Sequence, residues 1–138
     1  MSSEEEDLAT FMGAAEAASP QVLTVFLPNH DQHENAFDAA PWIREAADLL
    51  AKIGGGATTM PAADGNWLSD DGRMIHEKTV QVFSYIDPDR WDRHLEDFRS
   101  FLHRFGIETG QGEVAFEFDG KMFKIRKFNP DWASGDGT

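Results

Sequence analysis

Residues 22–28, VLTVFLP, form an unbroken run of β-branched and aliphatic side chains closed by a proline, the pattern of a buried strand. A polar stretch, NHDQHENAFD, follows. The period then changes: in PWIREAADLLAKIGGG, Ile43, Ala46, Leu50 and Ile53 recur at helical spacing, Pro41 suits a first turn, and Gly54 suits a stop. ATTMPA reads as a short edge strand, because Pro61 removes a donor that a central ladder would need. SDDG (69–72) has turn chemistry.

From Lys78 the chain alternates. Val80, Val82, Ser84 and Ile86 share one face; Gln81, Phe83 and Tyr85 share the other. Apolar groups on both faces predict a central strand. The clearest element comes next: Asp87 as cap, Pro88 in the first turn, and a stripe of Trp91, Leu95, Phe98, Leu102 and Phe105 predict a helix over 88–105 ended by Gly106. EVAFEF and KMFKI flank Asp119-Gly120, which suits the type I′ turn of a two-residue hairpin. The order strand-helix-strand-strand-helix-strand predicts an α+β fold of the ferredoxin-like β-α-β-β-α-β plan. Its antiparallel sheet has two helices on one face and a C-terminal β-hairpin.

Composition sets boundaries on this picture. The 138 residues suit one domain over about 21–128, preceded by an acidic leader (1–20) expected to be disordered and followed by a flexible tail (129–138). There is no cysteine, which excludes disulfides and thiolate chemistry. No apolar run reaches the length of a membrane span and no secretion signal opens the chain, so a cytoplasmic address is expected. A net charge of −13 disfavours nucleic acid and anionic membranes. The basic residues are unevenly placed, and KMFKIRK (121–127) holds four of the twelve.

The candidate chemistry is sparse. Gly54-Gly55-Gly56 follows a helix rather than opening one, so it reads as a cap and linker, not a phosphate cradle. His30 and His33 have the spacing of a loop metal site but need ligands from elsewhere. DGNWLSDDG lacks the ligand spacing of a calcium loop, so Asp70 and Asp71 read as turn formers and surface contacts. No cofactor is expected. His76 and Glu77 are neighbours on a strand and must face opposite ways, so any proton-handling group needs a partner from another element. Tyr85 and His94 are the candidates. Trp67, in a polar segment read as a turn, marks a contact surface or plugs the sheet edge. With Asp70, Asp71, Glu77, Phe83 and Tyr85 it makes up the candidate binding surface.

One stretch resembles a known pattern. Gly56 with Thr58, Gly65 with Trp67, Asp71 with Gly72, and Glu77 before VQVFSY are similar to small bacterial proteins of unknown function of the DUF3574 type. The resemblance covers residues 56–86 and implies a ferredoxin-like fold with no established reaction. The chain lacks the lipoprotein-like leader associated with that type.

Taken together, these features predict a small acidic accessory protein without enzymatic activity. It would act through protein contacts and self-associate as a homodimer through a sheet face or edge. Two alternatives stand beside it. One is a dimeric ferredoxin-like barrel enzyme acting on a small apolar substrate, with His76, His94 or Tyr85 moving protons. The other is an acidic nucleic-acid mimic that docks on a basic protein.

Overall fold

A computed structural model of the chain describes residues 3–14 and 21–134. Its elements are α1 (Ser3–Met12), β1 (Val22–Pro28), α2 (Ala40–Gly54), β2 (Thr58–Thr59), β3 (Ala63–Leu68), β4 (Met74–Tyr85), α3 (Pro88–Glu108), β5 (Val114–Phe118), β6 (Lys121–Ile125) and α4 (Pro130–Ala133). The fold is α+β, with an antiparallel sheet ordered β2-β4-β1-β5-β6 and β3 also paired to β4.

Alternation along the strands sorts the sheet into two faces. Leu23, Val25 and Leu27 of β1, with Val82 of β4 and Val114 of β5, are buried against Ala46, Leu50 and Ile53 of α2 and Phe98, Phe101, Leu102 and Phe105 of α3. Burying such side chains contributes about 1.5–3 kcal/mol each, so this layer carries most of the fold's stability. Trp42 of α2 meets Phe105 edge-on at 5.3 Å between centroids, and Arg104 of α3 pairs with Glu45 of α2, tying the two helices together.

Local chemistry fixes the element ends. The Asp87 carboxylate accepts from the N–H groups of Asp89 and Arg90 at 3.0 and 3.2 Å, which satisfies two donors at the start of α3. Asp119 and Gly120 both have positive φ, 53° and 80°, as a type I′ hairpin requires. Gly55, with φ 86°, caps α2 by donating to the Ala51 carbonyl at 2.7 Å.

Three stretches differ from the sequence expectations. α3 does not stop at Gly106 but continues to Glu108. Gly106 is buried because the Phe128 ring lies where its Cβ would be, so this glycine admits a packing partner rather than ending a helix. The segment around Trp67 is not a turn. It is strand β3, paired to the first half of β4 from Ala63↔Thr79 to Leu68↔Met74. Residues 130–133, placed in the expected tail, form α4, and its Trp132 meets the buried His103 ring at 5.0 Å.

β4 is the spine of the sheet. Its residues 79–85 pair with β1, while 74–78 run on past the end of β1 with β3 alone beside them. This two-stranded wing is held to the loop after β1 by Asn29, which donates to the Lys78 carbonyl and accepts from the Lys78 N–H through its side chain. An ion pair between Arg73 and Glu34 makes a second tie to that loop.

Candidate functional site

α2 and α3 cover one face of the sheet. On the other face, register places Thr58, Phe83, Thr24, Glu117 and Met122 in a row across five strands. Phe83 and Tyr85 contact each other edge-on at 6.5 Å, and Tyr85 is half exposed. Thr24 is buried although neither long helix covers it.

Further along the same face, where β3 pairs β4, four residues converge. Glu77 stands opposite Gly65, Thr79 opposite Ala63, and Trp67 opposite Ile75. A Cβ on Gly65 would lie 2.9 Å from Trp67 Nε1 and 3.0 Å from Thr79 Oγ1, so the missing side chain is the space into which the indole folds. Burial pushes the Glu77 carboxyl up to about 6. The Trp67 side chain lies close enough to oppose that rise, yet its indole N–H closes no well-formed hydrogen bond among the described residues. Thr79 Oγ1 is likewise buried without a partner there. A carboxyl raised by burial thus stands beside an aromatic ring and two buried polar groups.

The remaining candidates are scattered. His76 faces away from Glu77, and its Nδ1 is 2.6 Å from Asn66 Oδ1. His94, on α3, pairs with Asp97 at 3.1 Å. Tyr85 is nine residues from His76 on the same strand, about 30 Å at ~3.3 Å per residue. His76 and Tyr85 are thus too far apart for a dyad, and each histidine has a partner of its own. Asp71 accepts from Ser69 Oγ and from the Arg73 N–H, holding the β3–β4 turn, and Asp70 lies exposed in that turn. His30 approaches Asn29 and His33 is exposed in the same loop, which the Asp31 carboxylate organises. Among the described residues no three metal-ligating side chains cluster.

Two grooves on the helix side differ in kind. One, of about 550 Å³ between α2 and α3, is lined by charged residues including Glu45, Asp48, Lys52 and Arg104. The other, of about 560 Å³ between α3 and the β5–β6 hairpin, is lined mainly by apolar side chains such as Trp91, Leu95, Phe98 and Phe123. Neither of these two is lined by His76, His94 or Tyr85.

Sequence reasoning named Trp67 and Glu77 but not Thr79. The signal available for Thr79 was its place on the Glu77 face, two residues along an alternating strand.

No family model matches the chain, and no curated protein matches it. Among solved structures it is similar to a phage SAM lyase in complex with S-methyl-5′-thioadenosine, with 11% identity over 82% of this chain and 95% of that one and a TM-score of 0.58. A phage SAM lyase in the apo state is similar at 15% identity, over 78% and 89% of the two chains, with a TM-score of 0.50. At these identities the likeness is one of fold. It overturns the reading of a non-enzymatic accessory protein, because the architecture that reading rested on is one that carries an enzyme.

Proposed function

We propose that this chain is an enzyme that binds an adenosyl sulfonium and releases a thioadenosine from it, with its site on the helix-free face around Glu77. The observation that carries the proposal is the half-buried Glu77 carboxyl against the Trp67 indole, on a sheet whose fold is shared with a SAM lyase. A carboxylate and an aromatic face are the two groups that attract a sulfonium cation. Phe26, Phe83 and Tyr85, on the same face of β1 and β4, offer planes on which a purine stacks. The Trp67 N–H, beside Glu77, and the buried Thr79 hydroxyl add polar groups to the same place.

The chemistry balances without oxidant or added water. The bond from sulfur to the side-chain carbon breaks, its electron pair goes to sulfur, and the sulfonium becomes a neutral thioether. The carbon released forms a bond to the carboxylate of its own fragment, closing a ring, so no proton has to be taken up or given away. Positive charge on sulfur is lost in the transition state, so a water-poor apolar surface favours the reaction. Glu77 acts by holding the sulfonium rather than by attacking it.

The fold is inferred to follow the ferredoxin-like plan. β2 and β3 lie on the same edge of β4 with Pro61 between them; counted as one broken strand, they give edge-β4-β1-β5, with β6 as an addition. The resemblance to DUF3574-type proteins supports the choice of site, since Gly65, Trp67 and Glu77 of that pattern meet at one place.

The test is incubation with S-adenosylmethionine, following S-methyl-5′-thioadenosine by chromatography, alongside calorimetric titration with the thioadenosine itself. Release of product that Glu77→Ala abolishes is expected. Absence of both turnover and binding from acid to alkaline pH would overturn the proposal.

A further inference from the structure

Strand geometry limits what a ligand held at Glu77 can touch on the rest of the helix-free face. Glu77, Thr79, Gln81, Phe83 and Tyr85 of β4 alternate onto that face. At ~3.3 Å per residue, Gln81 stands about 13 Å from Glu77 along the strand, Phe83 about 20 Å and Tyr85 about 26 Å. In an adenosyl sulfonium only a methylene and a ribose separate the sulfur from the purine. Side chains leaning along the strand close the first interval but not the other two. Phe83 and Tyr85 also present their rings to each other.

Gln81 is flanked on both sides. Phe26 of β1 is its partner across the ladder. On the other side the Met60 N–H donates to the Gln81 carbonyl at 2.8 Å, continuing the register in which Thr58 and Thr59 face Phe83 and Val82. Phe26 and Met60 are thus two strand spacings apart, roughly 10 Å, which leaves room for one planar ring between an aromatic face and a thioether. Gln81 is exposed at the floor of this slot, and Met60 is 44% exposed at its wall. Phe26 stands out among the phenylalanines. From residue 21 onward every other one meets another aromatic ring. Phe26 meets none among the described residues, and it is not one of the side chains packed on the core.

Resting on the adenosyl sulfonium reading of Glu77, we propose that Gln81 and Phe26 form the purine subsite and set a preference for adenine. The purine stands between Phe26 and Met60 with its edge toward Gln81. The amide carbonyl of Gln81 accepts from the 6-amino group, and the amide N–H donates to N7. A 6-oxo purine presents two acceptors along the same edge, so the Gln81 carbonyl would face an oxygen with no hydrogen between them. Phe26 supplies stacking to any purine, whereas Gln81 tells one purine from another.

The test is calorimetric titration of the full chain with S-methyl-5′-thioadenosine and with S-methyl-5′-thioinosine, which carries an oxygen in place of the 6-amino group. Wild type is expected to bind the thioadenosine at least tenfold more tightly. Gln81→Ala, at an exposed position where folding is not at risk, is expected to erase that preference. Phe26→Leu is expected to weaken both ligands at least tenfold, with urea unfolding showing that the fold is kept. Thioadenosine binding that both variants leave at wild-type strength and preference overturns the subsite, while turnover lost in Glu77→Ala would leave the Glu77 reading standing. A preference that Gln81→Ala erases, in a chain that never turns over S-adenosylmethionine, upholds the subsite and overturns the reaction instead. Absence of both binding and turnover overturns the two together.

Discussion

Replacing Glu77 by Gln tests whether the carboxyl is held in an environment that disfavours its charge. The fold lifts this group from 4.5 to about 6, because burial raises the energy of the anion. The folded state therefore binds the proton more tightly than the unfolded state between those values. The group's contribution to stability is complete below 4.5 and is lost as pH climbs through 6. The full difference corresponds to about 2 kcal/mol, and screening at a partly exposed site reduces it to about 1 kcal/mol. Gln has the same shape and cannot ionise. Near pH 8 the variant should be more stable than wild type by about 1 kcal/mol, and the gap should close near pH 4.5. Urea unfolding of both proteins at the two pH values measures this directly. A Gln variant equal to or weaker than wild type near pH 8, or a gap that persists in acid, would refute the reasoning. The same variant serves the activity assay, since any loss of turnover in a stabilised protein cannot come from unfolding.

Other consequences follow from single positions. Gly65→Ala places a methyl against Trp67 Nε1 and Thr79 Oγ1 and should displace the indole at a cost of about 1–3 kcal/mol, seen as a change in tryptophan emission and a lower urea midpoint. Gly106→Ala collides with the Phe128 ring and should destabilise by a similar ~1–3 kcal/mol without affecting ligand binding on the opposite face of the sheet. Asp87→Ala removes the acceptor for two N–H groups at the start of α3 and should cost about 1 kcal/mol in thermal or urea unfolding. His103 is held below its usual range by burial and by Arg99, and its Nδ1 accepts from the Asn129 N–H at 3.0 Å. Protonation ends that acceptance, so the docking of α4 is fully present above about 6.5 and is lost as pH falls toward the depressed folded value. Hydrogen-exchange protection of the Asn129 amide should fall with it, and constant protection down to pH 4 would count against this.

Where neighbours in sequence decide the structure, the sequence was legible. The Asp87 cap, the Asp119-Gly120 hairpin and the alternation of residues 78–86 each depend on groups a few residues apart, and all three are present. Errors arose where a distant side chain decides. Gly106 reads as a helix stop until Phe128, twenty-two positions later, occupies its face. Gly65 and Asn66 read as a turn until the Trp67 ring folds over the glycine and makes a strand of them. The site divides the same way. Trp67 and Glu77 could be named as binding residues from composition and alternation, but their meeting depends on a pairing register that two-residue steps along the chain do not fix. His76 and Tyr85 have the right chemistry, but they lie near opposite ends of the one strand β4.

The break between β2 and β3 has a consequence for how the protein behaves in a crowded solution. A sheet edge with free amides and carbonyls is a template on which any extended chain can grow. Here the long outer edge of β4 is divided between a two-residue strand and a six-residue strand, with Pro61 at the joint. The opposite edge, β6 (KMFKI), carries lysines at positions 121 and 124. Neither border offers a long neutral ladder, so the chain resists fibrous growth at its edges and leaves its faces free for specific contacts.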